Sequence, residues 1–121
     1  MSDIKSYRDL LVWQRAMDLS QEIYAVTKIF PKSEEYRITS QLIRAAISIP
    51  ANIAEGHMRG TRKDYANFIS IARGSTAELE TLLMLAMRSE LAAPEQLQKC
   101  LEKAEEVGRM LSALRGKLSN P

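Results

Sequence analysis

Apolar residues recur along this chain at alternating steps of three and four in four separate stretches, with proline, glycine and serine in the gaps. In the first, from about Arg8 to Ile29, the residues Val12, Ala16, Leu19, Ile23, Val26 and Phe30 make one continuous stripe, widened by Trp13, Met17 and Tyr24. Phe30-Pro31 stops it, because the residue before a proline is pushed out of the α region. In the second, Ser33 is a candidate cap with Glu34 and Glu35 in the first turn, and the pattern runs to about Glu55 before Gly56 ends it. Thr61 followed by Asp64 opens the third like a capping box, after Gly56 and Gly60 have relaxed the connection. Tyr65, Phe68, Ala72, Ser75, Leu79, Leu82 and Ala86 form its stripe, and Gly74 with its small neighbours Ser75 and Ala77 lets another helix approach closely. Pro94 fits the first turn of a fourth helix, in which Leu97, Leu101, Ala104, Val107, Leu111, Leu114 and Leu118 continue the pattern until "GKLSNP" frays. Short connections between four such helices predict an all-α, antiparallel up-down-up-down bundle, with residues 1–121 as a single domain.

The second stretch is apolar over too much of its circumference. Ile38, Leu42, Ala45, Ala46, Ile49 and Ile53 form one stripe, and Tyr36, Ile43, Ile47, Pro50 and Ala54 form another beside it. The polar residues Arg37, Gln41, Arg44, Ser48, Asn52 and Glu55 share one narrow arc. A surface helix buries only about a third of its circumference. Either this is the central helix of the bundle, or its second stripe packs against another subunit. The short chain favours the subunit reading, with Tyr36, Ile43 and Ile47 at the interface and Arg44, Asn52 and Glu55 as a polar network there. Pro50 sits inside the pattern and predicts a kink, since it removes the bond to the carbonyl of residue 46 and clashes with it. The freed carbonyl needs a donor, for which Asn52 or a water is a candidate.

Composition changes this picture little. The chain has 121 residues, enough for one core, and a formal net charge of +2. That is less basic than a dedicated nucleic-acid protein, so bulk charge assigns no partner. The single cysteine, Cys100, permits no internal disulfide and falls on the apolar flank of the fourth helix as a buried thiol. No signal-peptide core opens the chain, and the longest apolar run, "LLMLAM", falls far short of the roughly 20 residues that span a bilayer. The expectation is a soluble cytoplasmic protein with no membrane association.

Catalytic chemistry finds few candidates. The single histidine, His57, sits beside Gly56, where an exposed imidazole would meet the last carbonyls of a helix. Glu55 and His57 are two apart, not the three of a di-iron Glu-x-x-His pair, and one histidine with one cysteine makes no closed zinc site within one chain. Glu78 and Glu80 straddle Leu79, do not converge, and could pair with Arg44 or Arg73 across the bundle. No catalytic residue, metal or cofactor is therefore expected. One cluster remains: Arg59, Arg62 and Lys63, with His57 alongside, gather positive charge at the start of the third helix and would suit a phosphate. The plain alternative is a solvated corner.

Several motifs together resemble one family. "VWQ" (Val12 to Gln14), "FP" (Phe30-Pro31), "RAAISIPANIAEG" (Arg44 to Gly56) and "GSTAELE" (Gly74 to Glu80) are similar to those of the four-helix bundle proteins encoded within intervening sequences of bacterial 23S ribosomal RNA genes. The resemblance is strong from Tyr7 to about Ala86 and weaker through the fourth helix. It implies an antiparallel bundle assembled as a homopentamer, and a bacterial, cytoplasmic, non-enzymatic protein. Related accessory proteins of diversity-generating retroelements are associated with nucleic acid and a reverse transcriptase. The expectation is a non-catalytic oligomeric scaffold contacting RNA or a ribonucleoprotein through its basic corners. The alternative is a protein-interaction module that binds a partner such as a reverse transcriptase without touching nucleic acid.

Overall fold

The computed structural model describes residues 4–119. Four α-helices account for most of it: α1 (Leu11–Thr27), α2 (Ser40–Met58), α3 (Arg62–Arg88) and α4 (Pro94–Ser119). Each helix packs against the next and α4 returns to α1. Arg115 of α4 meets Ser70 of α3, while Gly108 faces Thr76 and Glu80, so facing residue numbers run in opposite directions and these two helices are antiparallel. The same holds for α2 and α3, where Ser48 meets Ser75 and Gly56 lies against Tyr65 and Phe68. The expected stripe of α1 is buried in full, and Leu42, Ala45, Ala46, Ile49 and Ile53 of α2 lie opposite it in the core.

Several boundaries differ from expectation. A 3-10 turn over Tyr7–Asp9, closed by a Ser6–Asp9 capping box, precedes α1 and replaces a helix start at Arg8. Ser33 caps nothing: Pro31, with its fixed φ, starts a 3-10 turn over Lys32–Glu34, and a wide π turn over Glu35–Thr39 follows before α2 begins. Non-helical backbone falls at Arg37, whereas α2 is continuous from Ser40 to Met58 across Pro50. Gly56 does not end α2. It is buried inside the helix, because a Cβ there would come within 2.7 Å of Phe68 Cβ; the missing side chain lets α3 close in. The turn is made by Gly60, at φ 86°, a left-handed conformation that suits glycine.

In α3 the buried stripe is Ala66, Ile69, Ala72, Thr76, Leu79, Leu82, Leu83 and Ala86, so Tyr65, Phe68 and Ser75 lie at its half-buried edge. Gly74 faces open space, with no described atom within 4 Å of where its Cβ would lie, so it admits no close helix crossing like that at Gly56. Thr61 accepts from the Asp64 backbone N–H at 3.1 Å, the cap expected of it. α3 stops in a Schellman turn, with Leu91 N–H bonded to Ala86 O and Glu90 N–H to Met87 O. Glu90 takes the left-handed position at φ 54°. Pro94 opens α4, as its ring geometry favours. Helix persists through Ser119 rather than fraying from Gly116; Asn120 and Pro121 lie outside the described residues, as do Met1 to Asp3.

Candidate functional site

The stretch from Arg44 to Lys63 divides between the two sides of α2. On the α3 side, Asn52 Nδ2 donates to Ser48 O at 2.7 Å and to Ser48 Oγ at 3.0 Å. Ser48 Oγ and Ser75 Oγ are 2.8 Å apart, so the Ser48 proton is free to bridge the helices. Asn52 therefore does not serve the carbonyl that Pro50 frees. Ser20 of α1 does, its buried Oγ lying 3.0 Å from Ala46 O. The polar arc of Arg44, Asn52 and Glu55 is not joined into one network: Asn52 turns to the serines, and Glu55 takes Arg59 at 2.7 Å.

The basic cluster divides as well. His57 is within the last turn of α2 and not beyond it, half-buried with its ring edge-on to Tyr65 at 5.6 Å. Its Nδ1 is buried without a hydrogen-bond partner among the described residues. An imidazole held against α3 in this way is a packing element of the helix joint, not an exposed cap of the last carbonyls. Arg59, bound to Glu55, also covers the Phe68 ring at 4.8 Å, which leaves its charge partly neutralised. Burial at the same joint raises the Tyr65 hydroxyl above its ordinary pKa.

Arg62 and Lys63 point elsewhere, into a groove of about 790 Å³ between the start of α3 and the end of α4. Arg62 Nη1 reaches Lys117 O at 3.5 Å. Arg115 lines the same groove, donating from Nε to Ser70 Oγ at 2.7 Å and from Nη1 to Ser119 Oγ. Sequence reasoning missed Arg115. Its signal was present: in an antiparallel pair the basic end of α4 must lie beside the start of α3.

The second stripe is covered only in part by its own chain: Pro50 is buried and Ala54 half-buried, while the N-terminal part, from Tyr36 in the turn before α2 to Ile47, is open. Tyr36 is 89% exposed and Ile47 44%, Ile43 is half-buried, and Tyr24 of α1, 46% exposed, lies alongside. Together with Lys28 and Arg44 they line a mainly apolar groove of about 620 Å³. On α3, Ile71 and Leu85 are also exposed.

The remaining candidates are explained locally. Glu78 and Glu80 make no ion pair with Arg44 or Arg73; the ion pairs among the described residues lie elsewhere, as between Lys103 and Glu22. Glu80 instead borders a second α3–α4 groove with Glu105, and burial together with that neighbouring carboxylate raises its pKa. Cys100 is buried, its thiol pushed up to about 11 by burial and by the nearby Glu22. No helix among the described residues is long and apolar enough to cross a membrane.

The comparisons with known proteins agree with this architecture. The family described as 23S rRNA-intervening sequence protein matches residues 8–113. A crystal structure of a protein of unknown function from the S23 ribosomal protein family of Bacteroides thetaiotaomicron superposes with a TM-score of 0.81 at 25% identity, covering 87% of this chain and 98% of that one. No curated protein matches. The all-α fold with four helices and the match over nearly the whole chain lead to one conclusion: the chain belongs to the 23S rRNA-intervening sequence protein family.

Proposed function

We propose that the chain is a non-catalytic oligomeric scaffold that contacts RNA through the basic end where α3 begins and α4 finishes. The observation that carries this reading is the open apolar groove between α1, the turn before α2 and the start of α2, with Tyr36 89% exposed and Tyr24 and Ile47 also lining it. Contiguous apolar surface of this kind marks an interaction site. A second copy of the chain is the occupant we favour. A ring built head to tail needs two different complementary patches on each copy, and α3 exposes the apolar side chains Ile71, Met84 and Leu85 outside this groove. The homopentamer implied by the family resemblance is one such ring.

At the basic end, Arg62 and Lys63 carry the RNA contact, while His57 and Arg59 hold the α2–α3 joint. Repetition of the basic end around a ring would turn weak individual contacts into avidity. The groups best suited to chemistry have structural duties instead, as with His57 packed on Tyr65 and Cys100 in the core.

Fluorescence anisotropy with a labelled single-stranded RNA tests the reading. Binding at low salt is expected to weaken steeply as salt is added, because counterions are released. It is expected to weaken further in the Arg62→Ala, Lys63→Ala double variant. Absence of binding at low salt, or a double variant that binds as the parent does, would overturn the RNA contact. It would favour a protein partner, such as a reverse transcriptase, on the apolar groove.

A further inference from the structure

The α3–α4 groove contains a cation, Arg115, whose bonds differ from those usual at a helix end. Basic residues near a helix C-terminus ordinarily bond the last carbonyls or offset the negative end of the helix dipole. Among the described residues the Arg115 guanidinium bonds no carbonyl. Its Nε and Nη1 go to the hydroxyls of Ser70, one helix away, and Ser119, one turn on. Ser119 Oγ in turn donates to Arg115 O at 3.0 Å, which fixes the hydroxyl that holds the guanidinium.

Two consequences follow. Neutral acceptors leave the guanidinium charge whole, and no carboxylate lies within 4.0 Å of Arg115 or Lys63 among the described residues. The side chain is also fixed in place before any ligand arrives, so less rotamer entropy is lost on binding. Arg62 and Lys63 line the same groove, with Asp64 the one acidic side chain among the described residues on its wall. Asn67 adds an amide beside the hydroxyls, and the volume of about 790 Å³ admits a phosphate with its sugar.

We infer that this groove is a seat for the phosphodiester backbone of RNA, with Arg115 as its principal, pre-positioned contact and Lys63 beside it. This rests on the reading of the chain as an RNA-contacting scaffold. Arg115 supplies a directed, charge-assisted pair of donors to phosphate oxygens. Ser70 is a positioning residue that acts through Arg115.

The test is anisotropy with the same labelled single-stranded RNA on the full chain, comparing Arg115→Gln, Ser70→Ala and Arg59→Ala, with thermal unfolding as a check on folding. Arg115→Gln is expected to weaken binding about tenfold at low salt, the loss of one charge-assisted contact. It also makes the logarithmic salt slope shallower by about 0.7, the single-strand value per phosphate contact. Ser70→Ala weakens binding by roughly threefold and leaves the salt slope unchanged, since it frees the guanidinium without removing charge. Arg59→Ala removes the same charge as Arg115→Gln and changes affinity by less than about twofold, because Arg59 is committed to Glu55 and Phe68. DNA of the same sequence, losing as much on Arg115→Gln, assigns the contact to the phosphates. Equal losses in the Arg59 and Arg115 variants reduce the effect to bulk charge and overturn the inference. Parent-like binding by Arg115→Gln overturns it alone and leaves the scaffold reading standing. A parent protein that binds no RNA at low salt overturns both.

Discussion

The Ser20 hydroxyl of α1 lies 3.0 Å from the Ala46 carbonyl of α2, the acceptor that Pro50 leaves without its helical donor. The same hydroxyl is 3.0 Å from Ala16 O in its own helix, so one proton is shared between the two carbonyls. A serine buried in the α1 core stripe is thus the partner of a proline in the next helix. Ser20→Ala leaves a buried carbonyl unsatisfied and is expected to lower stability by about 1–3 kcal/mol. With Pro50→Ala already present, the residue-50 N–H serves Ala46, and the same Ser20 change falls below about 1 kcal/mol. Urea unfolding of the four proteins measures the difference. An undiminished loss in the Pro50→Ala background would show that the two residues are not coupled.

Gly56 and Gly74 are both helical, and their alanine variants are expected to move in opposite directions. At Gly56 an added Cβ meets Phe68 Cβ at 2.7 Å and Tyr65 Cδ1 at 3.1 Å, so α3 must shift. Overpacking of this kind destabilises by about 1–3 kcal/mol. At Gly74 nothing lies within 4 Å, and alanine gains about 0.5–1 kcal/mol from its better helix propensity. Thermal unfolding of the two variants tests the assignment, and a tolerated Gly56→Ala would contradict the close crossing of α2 and α3.

What the sequence made legible followed periodicity. The α1 stripe from Val12 to Phe30 is the buried set, because one face of a regular helix needs no tertiary information to find. Glycine was less readable. Gly56 looks the same in sequence whether it ends a helix or admits a neighbour, and only the position of Phe68 decides. Ser33 failed as a cap because Pro31 had already committed the chain to a tight turn. The basic site was half visible: Arg62 and Lys63 are adjacent to each other, whereas Arg115 joins them only through the antiparallel register of α3 and α4. Likewise Ser20 is 26 residues from Ala46, a separation at which no local rule operates.

Glu80 ties stability to pH. Burial and the Glu105 carboxylate raise its pKa in the folded chain, so the folded state holds a proton there more tightly than the unfolded state does. Ionised Glu80 therefore destabilises the fold at neutral pH, and that penalty fades as pH falls toward the ordinary glutamate value of 4.5. Glu80→Gln is expected to unfold at a higher temperature than the parent at pH 7, with the gap closing as pH approaches that value. A gap that is constant with pH would contradict the sign.

The claim that the α1–α2 face is shared between copies is tested most directly by the mass of the protein in dilute solution. Light scattering on a sizing column is expected to give a multiple of the 13.6 kDa chain mass, fivefold for the ring implied by the family resemblance. Ile47→Glu, which charges the exposed centre of the groove, is expected to reduce that mass while the helical circular dichroism is retained. A parent protein that elutes at 13.6 kDa at micromolar concentration, with Tyr36 and Ile47 left in water, would contradict the account.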